Sequence, residues 1–343
     1  MNEHRQGTGR FCDLPLTGLP FGLYPDSALP PYVAAGTSLR PILLDGRVVG
    51  ACYADAYAEY ALLGELLPRA MGASREVQAR SVFEQCEAAL QTGGMDFSHV
   101  MRTWFYLDGL LDWYDAFNAV RTQFFEERGV FRGVLPASTG IGLANRQSAA
   151  LVMGALAIKP RDGRVRIQTV ASPLQCPATN YRSSFSRAVE VTLPGSRQLH
   201  ISGTASIAPD GSSLHTGDIE AQLAKTMKVV AAILQSRGME WSNTTRGIAY
   251  YKRAEDAATV RHCMREYTEG SSAIALAHAD VCRPELLFEL ELDASAATTP
   301  PTLVRATRKN TRPANMPSMT IRASSSRTKP AGSTTSRSTT TLR

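Results

Sequence analysis

A gapless internal repeat constrains this chain more than any other feature of its sequence. GGMDFSHVMRTWFYLDGLLDW (93–113) aligns with RGMEWSNTTRGIAYYKRAEDA (237–257). Gly94 meets Gly238, Met95 meets Met239, Phe97 meets Trp241 and Ser98 meets Ser242. Arg102 meets Arg246, Tyr106 meets Tyr250 and Asp112 meets Asp256; upstream, Gln78 meets Gln222 and Leu90 meets Leu234. So many matches at one offset indicate duplication. Each copy reads strand–strand–helix–strand–helix–strand, which predicts an α/β (α+β) chain of two tandem domains, each a mixed sheet with helices packed on one face.

Local signals give the elements. Residues 1–50 are rich in Pro and Gly with short apolar pieces, and Asp45-Gly46 marks a hairpin turn. Val77, Val82, Cys86 and Ala89 recur at helical spacing over 74–90, with Ser74 as N-cap and Gly93-Gly94 as the stop. HVMRTWFYL (99–107) reads as a strand. Residues 112–127 read as a helix with Trp113, Phe117, Val120 and Phe124 on one stripe, and LVMGALAI (151–158) as a buried strand. After a turn at Asp162-Gly163, strands are predicted at 167–170, 186–193, 198–207 and 245–251, helices at 218–235 and 255–267, and a closing strand at 285–292. The domain boundaries follow: 1–160 with an extra N-terminal segment, 161–295, and a basic Ser/Thr-rich tail over 296–343. The tail has too few apolar residues to offset the entropy of ordering and reads as disordered.

The tail also explains the charge. The formal net charge is +6, but nine basic and no acidic residues follow Asp293; taking these nine from +6 leaves −3. The folded body therefore gives no electrostatic case for nucleic acid. Cys12, Cys52, Cys86, Cys176, Cys263 and Cys282 show no paired spacing, which suits free thiols in a reducing compartment. There is no apolar run of membrane-spanning length and no apolar stretch behind the polar N-terminus. A cytoplasmic protein without a membrane partner is expected. His200 and His215 lack metal-ligand spacing, and no phosphate-binding loop occurs, so no metal and no cofactor are predicted.

The stretch ADVCRPELLFELELDA (279–294) holds the chemistry. Phe288, Leu290 and Leu292 share one face of an extended segment; Leu287, Glu289, Glu291 and Asp293 share the other. The carboxylate face is either solvated, as on an edge strand, or lines a pocket. Cys282 and Arg283 lie just upstream.

Each half resembles the reactive-intermediate deaminase (RidA/YjgF) family, with its chorismate-mutase-like fold. The resemblance rests on the Gln-containing helix, the G-M-x-[FW]-S segment before a strand, and FELELDA, which is similar to that family's terminal I-E-I-E-A. The deaminases carry an arginine about fifteen residues before the first glutamate of that ending. Here Ile274 stands at that place in the second half. In the first half Ser138 replaces the arginine, and counting forward puts Met153 where the glutamate should be, so this copy is degenerate. PASTGIG (136–142), SPLQCPATNYRSSFSRAVE (172–190), HISGTASI (200–207) and VCRPELLFELE resemble the chorismatases, two-domain relatives of that fold. Arg182 departs from their pattern, which has a small residue after Tyr181.

The resemblance implies a lyase that converts chorismate to 3-hydroxybenzoate and pyruvate, with 4-hydroxybenzoate left open, and Glu289 as the acid that protonates the enolpyruvyl methylene. Glu291 is a second choice, and Asp293 at the strand's end is read as solvated. In chorismatases the residues at Cys282 and in the G-T-A-S segment, Gly203 or Ala205 here, separate the products. A small dianion needs arginine forks; Arg187 and Arg283 are candidates, with Arg132 and Arg146 behind. Tyr106 and Tyr181 would stack on the ring and donate hydrogen bonds. The rivals are a chorismate hydrolase giving a dihydrodiol, an imine deaminase, and a non-catalytic binding protein. The resemblance leaves open a homo-oligomer, either trimer-like or a pseudo-trimer within one chain.

Overall fold

The structure is a computed structural model and describes residues 8–10, 33–35, 39–267 and 274–298. Two short strands, β1 (Thr8–Arg10) and β2 (Val33–Ala35), pair antiparallel. Most of the N-terminal segment, and the tail from 299 onward, lie outside the described residues, and so does the reading of that tail as disordered.

The first half runs β3 (Arg40–Leu44), β4 (Arg47–Ala54), β5 (Ala58–Leu66), α1 (Arg75–Thr92), β6 (Val100–Leu107), α2 (Leu110–Glu127), β7 (Ala137–Gly142) and β8 (Leu151–Pro160). The second runs β9 (Arg166–Val170), β10 (Ala188–Leu193), β11 (Ser196–Ala205), α3 (Ile219–Ser236), β12 (Thr244–Tyr251), α4 (Ala257–Tyr267), β13 (Ile274–His278) and β14 (Phe288–Ala297). The sheet orders are β3-β4-β5-β8-β6-β7 and β9-β10-β11-β14-β12-β13. Element for element these are the same mixed α+β topology, with one parallel pair in each, β6/β7 and β12/β13.

Each copy has more strands than the sequence reading assigned. β5, β7 and β13 were absent from it, because AEYALLGEL, ASTGIG and IALAH show no regular apolar–polar alternation. β14 also extends to Ala297, past the assigned start of the tail at 296.

The repeated residues do repeated jobs. Ser74 caps α1 by accepting from Val77 N, and Asp218 caps α3 by accepting from Ala221 N. Gly94 and Gly238 follow those helices at φ 73° and 62°, a left-handed turn that favours glycine. Gln78 donates to Met71 O and Ala73 O and accepts from Ala150 N, at the start of β8. Gln222 donates to His215 O and Glu285 O and accepts from Leu287 N, at the start of β14. Both glutamines are buried, so these are structural clamps between a helix and its neighbouring strand.

One face of each sheet carries its helices. Phe83 of α1, Phe105 of β6 and Phe117 and Phe124 of α2 pack together in the first half; Met227, Val230 and Ile233 of α3 pack on Ile201, Leu290 and Leu292 in the second. The other faces pack against each other. Trp104, Tyr106, Leu62 and Ile141 meet Ile248, Tyr250 and Ala277 there. The register places Tyr106 opposite Val152 and Tyr250 opposite Glu289. Val152, not Met153, is therefore the first-half counterpart of Glu289. Counting along the sequence was off by one, and one residue in a strand is the wrong face: Met153 points into the helix-side core. Val152 packs with Leu67 and Ala149, so the first-half copy of the site is filled by apolar side chains.

Candidate active site

β14 is a central strand, hydrogen-bonded to β11 and β12, and not an edge. Its three acids are consequently buried and serve different ends. Glu291 accepts from Arg102 Nη2 at 2.9 Å, Arg246 Nη1 at 3.0 Å and Trp104 Nε1 at 3.2 Å. Asp293 bonds His200 Nδ1 at 2.9 Å and lies 3.6 Å from Arg246. Burial works against its charge, but His200 and Arg246 hold the carboxyl well below the usual range. Asp293 is thus an internal partner and not a solvated strand end. Glu291 has its oxygens occupied by charged donors, which removes it as an alternative proton source.

Glu289 is the exception. Its carboxyl receives no hydrogen bond from the described residues and faces a cavity of about 760 Å³. Burial, then the neighbouring Glu291 charge, push it up to about 8 against the pull of Arg102 and Arg187. Ala205 pairs with it across the ladder. Beside Ala205 the β11 ladder breaks its register, and Gly203 lies under the carboxyl; a Cβ built there would overlap Glu289 Oε1. The absence of a side chain at 203 is what gives Glu289 its place.

Three structures wall the cavity. β11 and β14 form its floor. One stripe of α2 supplies Tyr114, Asn118, Arg121 and Thr122. The segment 172–187 closes over it, held to β11 where Gln175 donates to Ala205 O and Ile207 O, and to α2 where the Thr122 and Ser184 hydroxyls lie 2.7 Å apart. Arg187 donates from Nε and Nη2 to Cys176 O; Arg283 donates to Gly211 O and Ser213 Oγ. The Tyr181 ring lies between the two guanidiniums, 5.4 Å from Arg187 and 5.3 Å from Arg283. Arg182, which follows it, adopts φ 62°. A small residue is suited to that left-handed position, which accounts for the pattern from which Arg182 departs.

Of the residues selected from sequence, Glu289, Cys282, Arg187, Arg283, Tyr181, Gly203 and Ala205 line this cavity together. Tyr106 does not. Strand alternation aims it at the opposing sheet, where it is fully buried against Tyr250. Arg132 and Arg146 are exposed in short turns away from the lining. The Cys282 thiol is pushed up to about 12 by burial and then by Glu289, so it lines the site as a neutral thiol and not as a thiolate nucleophile. Arg121 was overlooked, although its place four residues after Phe117 puts it on the buried stripe of α2. Ser138, noted only as a lost arginine, also lines the cavity and accepts from Arg121 and Thr103.

Comparison with known proteins agrees with this architecture. Residues 178–297 match the Endoribonuclease L-PSP family. A chorismatase of Streptomyces hygroscopicus is 27% identical over 223 residues, covering 58% of this chain and 62% of that protein. A 3-hydroxybenzoate synthase of the same organism is 26% identical over 222 residues, covering 57% and 63%. The chain thus matches these relatives over less than two thirds of their own length. A crystal structure of chorismatase superposes with a TM-score of 0.61 at 20% identity, covering 77% of this chain and 81% of that one. Residues 178–297 therefore match the Endoribonuclease L-PSP family, within a chain that is similar in sequence to chorismatases and has the chorismatase fold.

Proposed function

We propose that the protein is an enzyme acting on chorismate, and that it releases pyruvate and leaves 3-hydroxybenzoate. The observation that carries this reading is Glu289: a buried carboxyl pushed up to about 8, without hydrogen-bond donors among the described residues, in a cavity that also holds Arg187 and Arg283. A carboxylic acid that keeps its proton at neutral pH is a general acid, and its proton must go to a basic atom of the ligand. The enol ether of chorismate offers its methylene carbon. Two carboxylates on the ligand match arginine forks, and their charge raises the Glu289 pKa further when the ligand binds.

Proton transfer from Glu289 forms the new C–H bond and leaves an oxocarbenium-like centre. The neighbouring ring hydroxyl then attacks the carbon bearing the ether, whose C–O bond breaks with its electrons going to pyruvate; the bridging oxygen next releases its bond to its original ring carbon, which leaves a hydroxyl on the attacked carbon and a positive charge on the ring. Loss of one ring proton makes the ring aromatic, and the Glu289 carboxylate is placed to take that proton back. No water is consumed. The neutral Cys282 thiol adds no second base beside the one carboxylate, Glu289, that recovers the ring proton, which favours internal attack over the dihydrodiol outcome. The fold is shared with imine deaminases, but Ser138 and Ile274 stand where their arginine would be.

Incubation with chorismate followed by chromatography tests the reading. Equal amounts of pyruvate and 3-hydroxybenzoate are expected; pyruvate with a dihydrodiol would select the hydrolytic alternative, and no pyruvate would reject both. Glu289→Gln is expected to lower turnover by about 1,000-fold or more while leaving the fold intact.

A further inference from the structure

Gly203 gives Glu289 its place only if its own backbone is held, and the strand ladder does not hold it. β11 pairs with β14 at Ile201↔Leu292 and again at Thr204↔Leu290. Ser202 and Gly203 therefore stand together opposite Glu291 alone, which is a β-bulge, and a bulge leaves backbone groups without ladder partners. β7 of the first half reaches both residues. Ser138 N donates to Ser202 Oγ at 2.9 Å, and Gly203 N donates to Thr139 Oγ1 at 3.2 Å. Thr139 Oγ1 also accepts from Arg102 Nη2 at 2.8 Å, and the same Nη2 donates to Glu291 Oε2 at 2.9 Å. One hydroxyl thus joins the amide beneath the Glu289 carboxyl to the buried Arg102–Glu291 ion pair. Thr139 is not itself a wall of the cavity. It pairs with Trp104 and shares the face of β7 that meets the second sheet, whereas Ser138 and Gly140 on the opposite face line the cavity.

We propose that Thr139 is a positioning residue for proton transfer: its hydroxyl fixes the bulge at Ser202–Gly203, and the bulge fixes the Glu289 carboxyl against the cavity. The proposal deepens the reading of Glu289 as proton donor to the enol ether of chorismate, and it rests on that reading. The first half, whose own copy of the acid is lost, then becomes a condition for the chemistry of the second. A fault in such positioning acts on the chemical step more than on ligand affinity, because a reacting group misplaced by about 1 Å loses about 100-fold in rate.

Thr139→Val removes the hydroxyl at nearly constant volume, and Thr139→Ser keeps it. Ser202 stays tethered to Ser138 N and Ser186 O in both, so both are expected to fold. With chorismate, Thr139→Val is expected to lower kcat about 10- to 100-fold and to keep KM within about threefold, while Thr139→Ser keeps kcat within about threefold. Hydrogen exchange across 199–206, read by mass spectrometry on the full chain, is expected to quicken at the Gly203 amide in Thr139→Val and not in Thr139→Ser. A residue that only supported the fold would lower the melting temperature and leave the kcat of the folded protein unchanged. Wild-type kcat in Thr139→Val, or an equal loss in Thr139→Ser, overturns the proposal while the chorismate reading stands. Should Thr139→Val not fold, Thr139→Ala is judged by the same criteria. If the wild type releases no pyruvate from chorismate, the chorismate reading falls and exchange decides the rest: faster Gly203 exchange in Thr139→Val supports the hold of Thr139 on the bulge, and equal exchange overturns it.

Discussion

The floor of the site depends on two residues that touch, Glu289 and Gly203. Glu289, held at about 8, binds its proton more tightly in the fold than in the unfolded chain. The contribution of Glu289 to stability is therefore fully present below the ordinary carboxylate range and is lost as pH rises through about 8. Chemical denaturation between about pH 5 and about pH 9 should show this decline in the wild type and little of it in Glu289→Gln, which cannot ionise. The same decline in both would mean that another group titrates. Activity needs the protonated acid, so kcat/KM should be level below that pH and fall about tenfold per unit above it. Gly203→Ala should displace the carboxyl and cost about 100-fold or more in kcat, with an unchanged far-ultraviolet spectrum; full activity would show that Glu289 acts from another position. Glu289, Cys282, Arg187 and Gly203 were legible because they lie in recognisable motifs. Arg121 was not, although an arginine on the aromatic stripe of a helix is a visible signal once the stripe is drawn through every residue. Tyr106 was misplaced because alternation tells which residues share a face but not what that face meets.

At the scale of the element, β14 owes its properties to its position between β11 and β12. Three acids on one strand face suggest an edge only while the neighbours are unknown, and strand order is a matter of long-range pairing that no local pattern encodes. The duplication was legible, and so was its register over the first helix and following strand of each half. The role of its matched residues was not. Arg102 and Arg246 occupy equivalent positions on β6 and β12 and converge on one carboxylate, Glu291. Glu291→Gln leaves Arg102 without its carboxylate and Arg246 with Asp293 alone, and should destabilise the chain by about 3–5 kcal/mol, read as a lower denaturation midpoint at constant slope. A loss below about 1 kcal/mol would show that the pair is solvated.

At the scale of the whole molecule, duplication has been followed by division of labour. The first copy carries Val152 where the second carries Glu289, and packs it with Leu67 and Ala149. It nevertheless contributes α2 and Ser138 to the cavity wall. The sequence divides at 160/161, yet Arg102–Glu291 and the packed sheet faces tie the two sides together. We expect 1–160 and 161–295 to unfold in a single transition, with calorimetric and van't Hoff enthalpies equal; two resolved transitions would make them independent domains. The central claim is that Glu289 delivers its proton to the methylene carbon of an enol ether. Its most direct test is chorismate turnover in D₂O with mass analysis of the pyruvate, quenched before the product exchanges. The wild type is expected to give pyruvate carrying one deuterium in its methyl group, and Glu289→Gln to form almost none. Unlabelled pyruvate, or labelled pyruvate formed at the wild-type rate by Glu289→Gln, would contradict it.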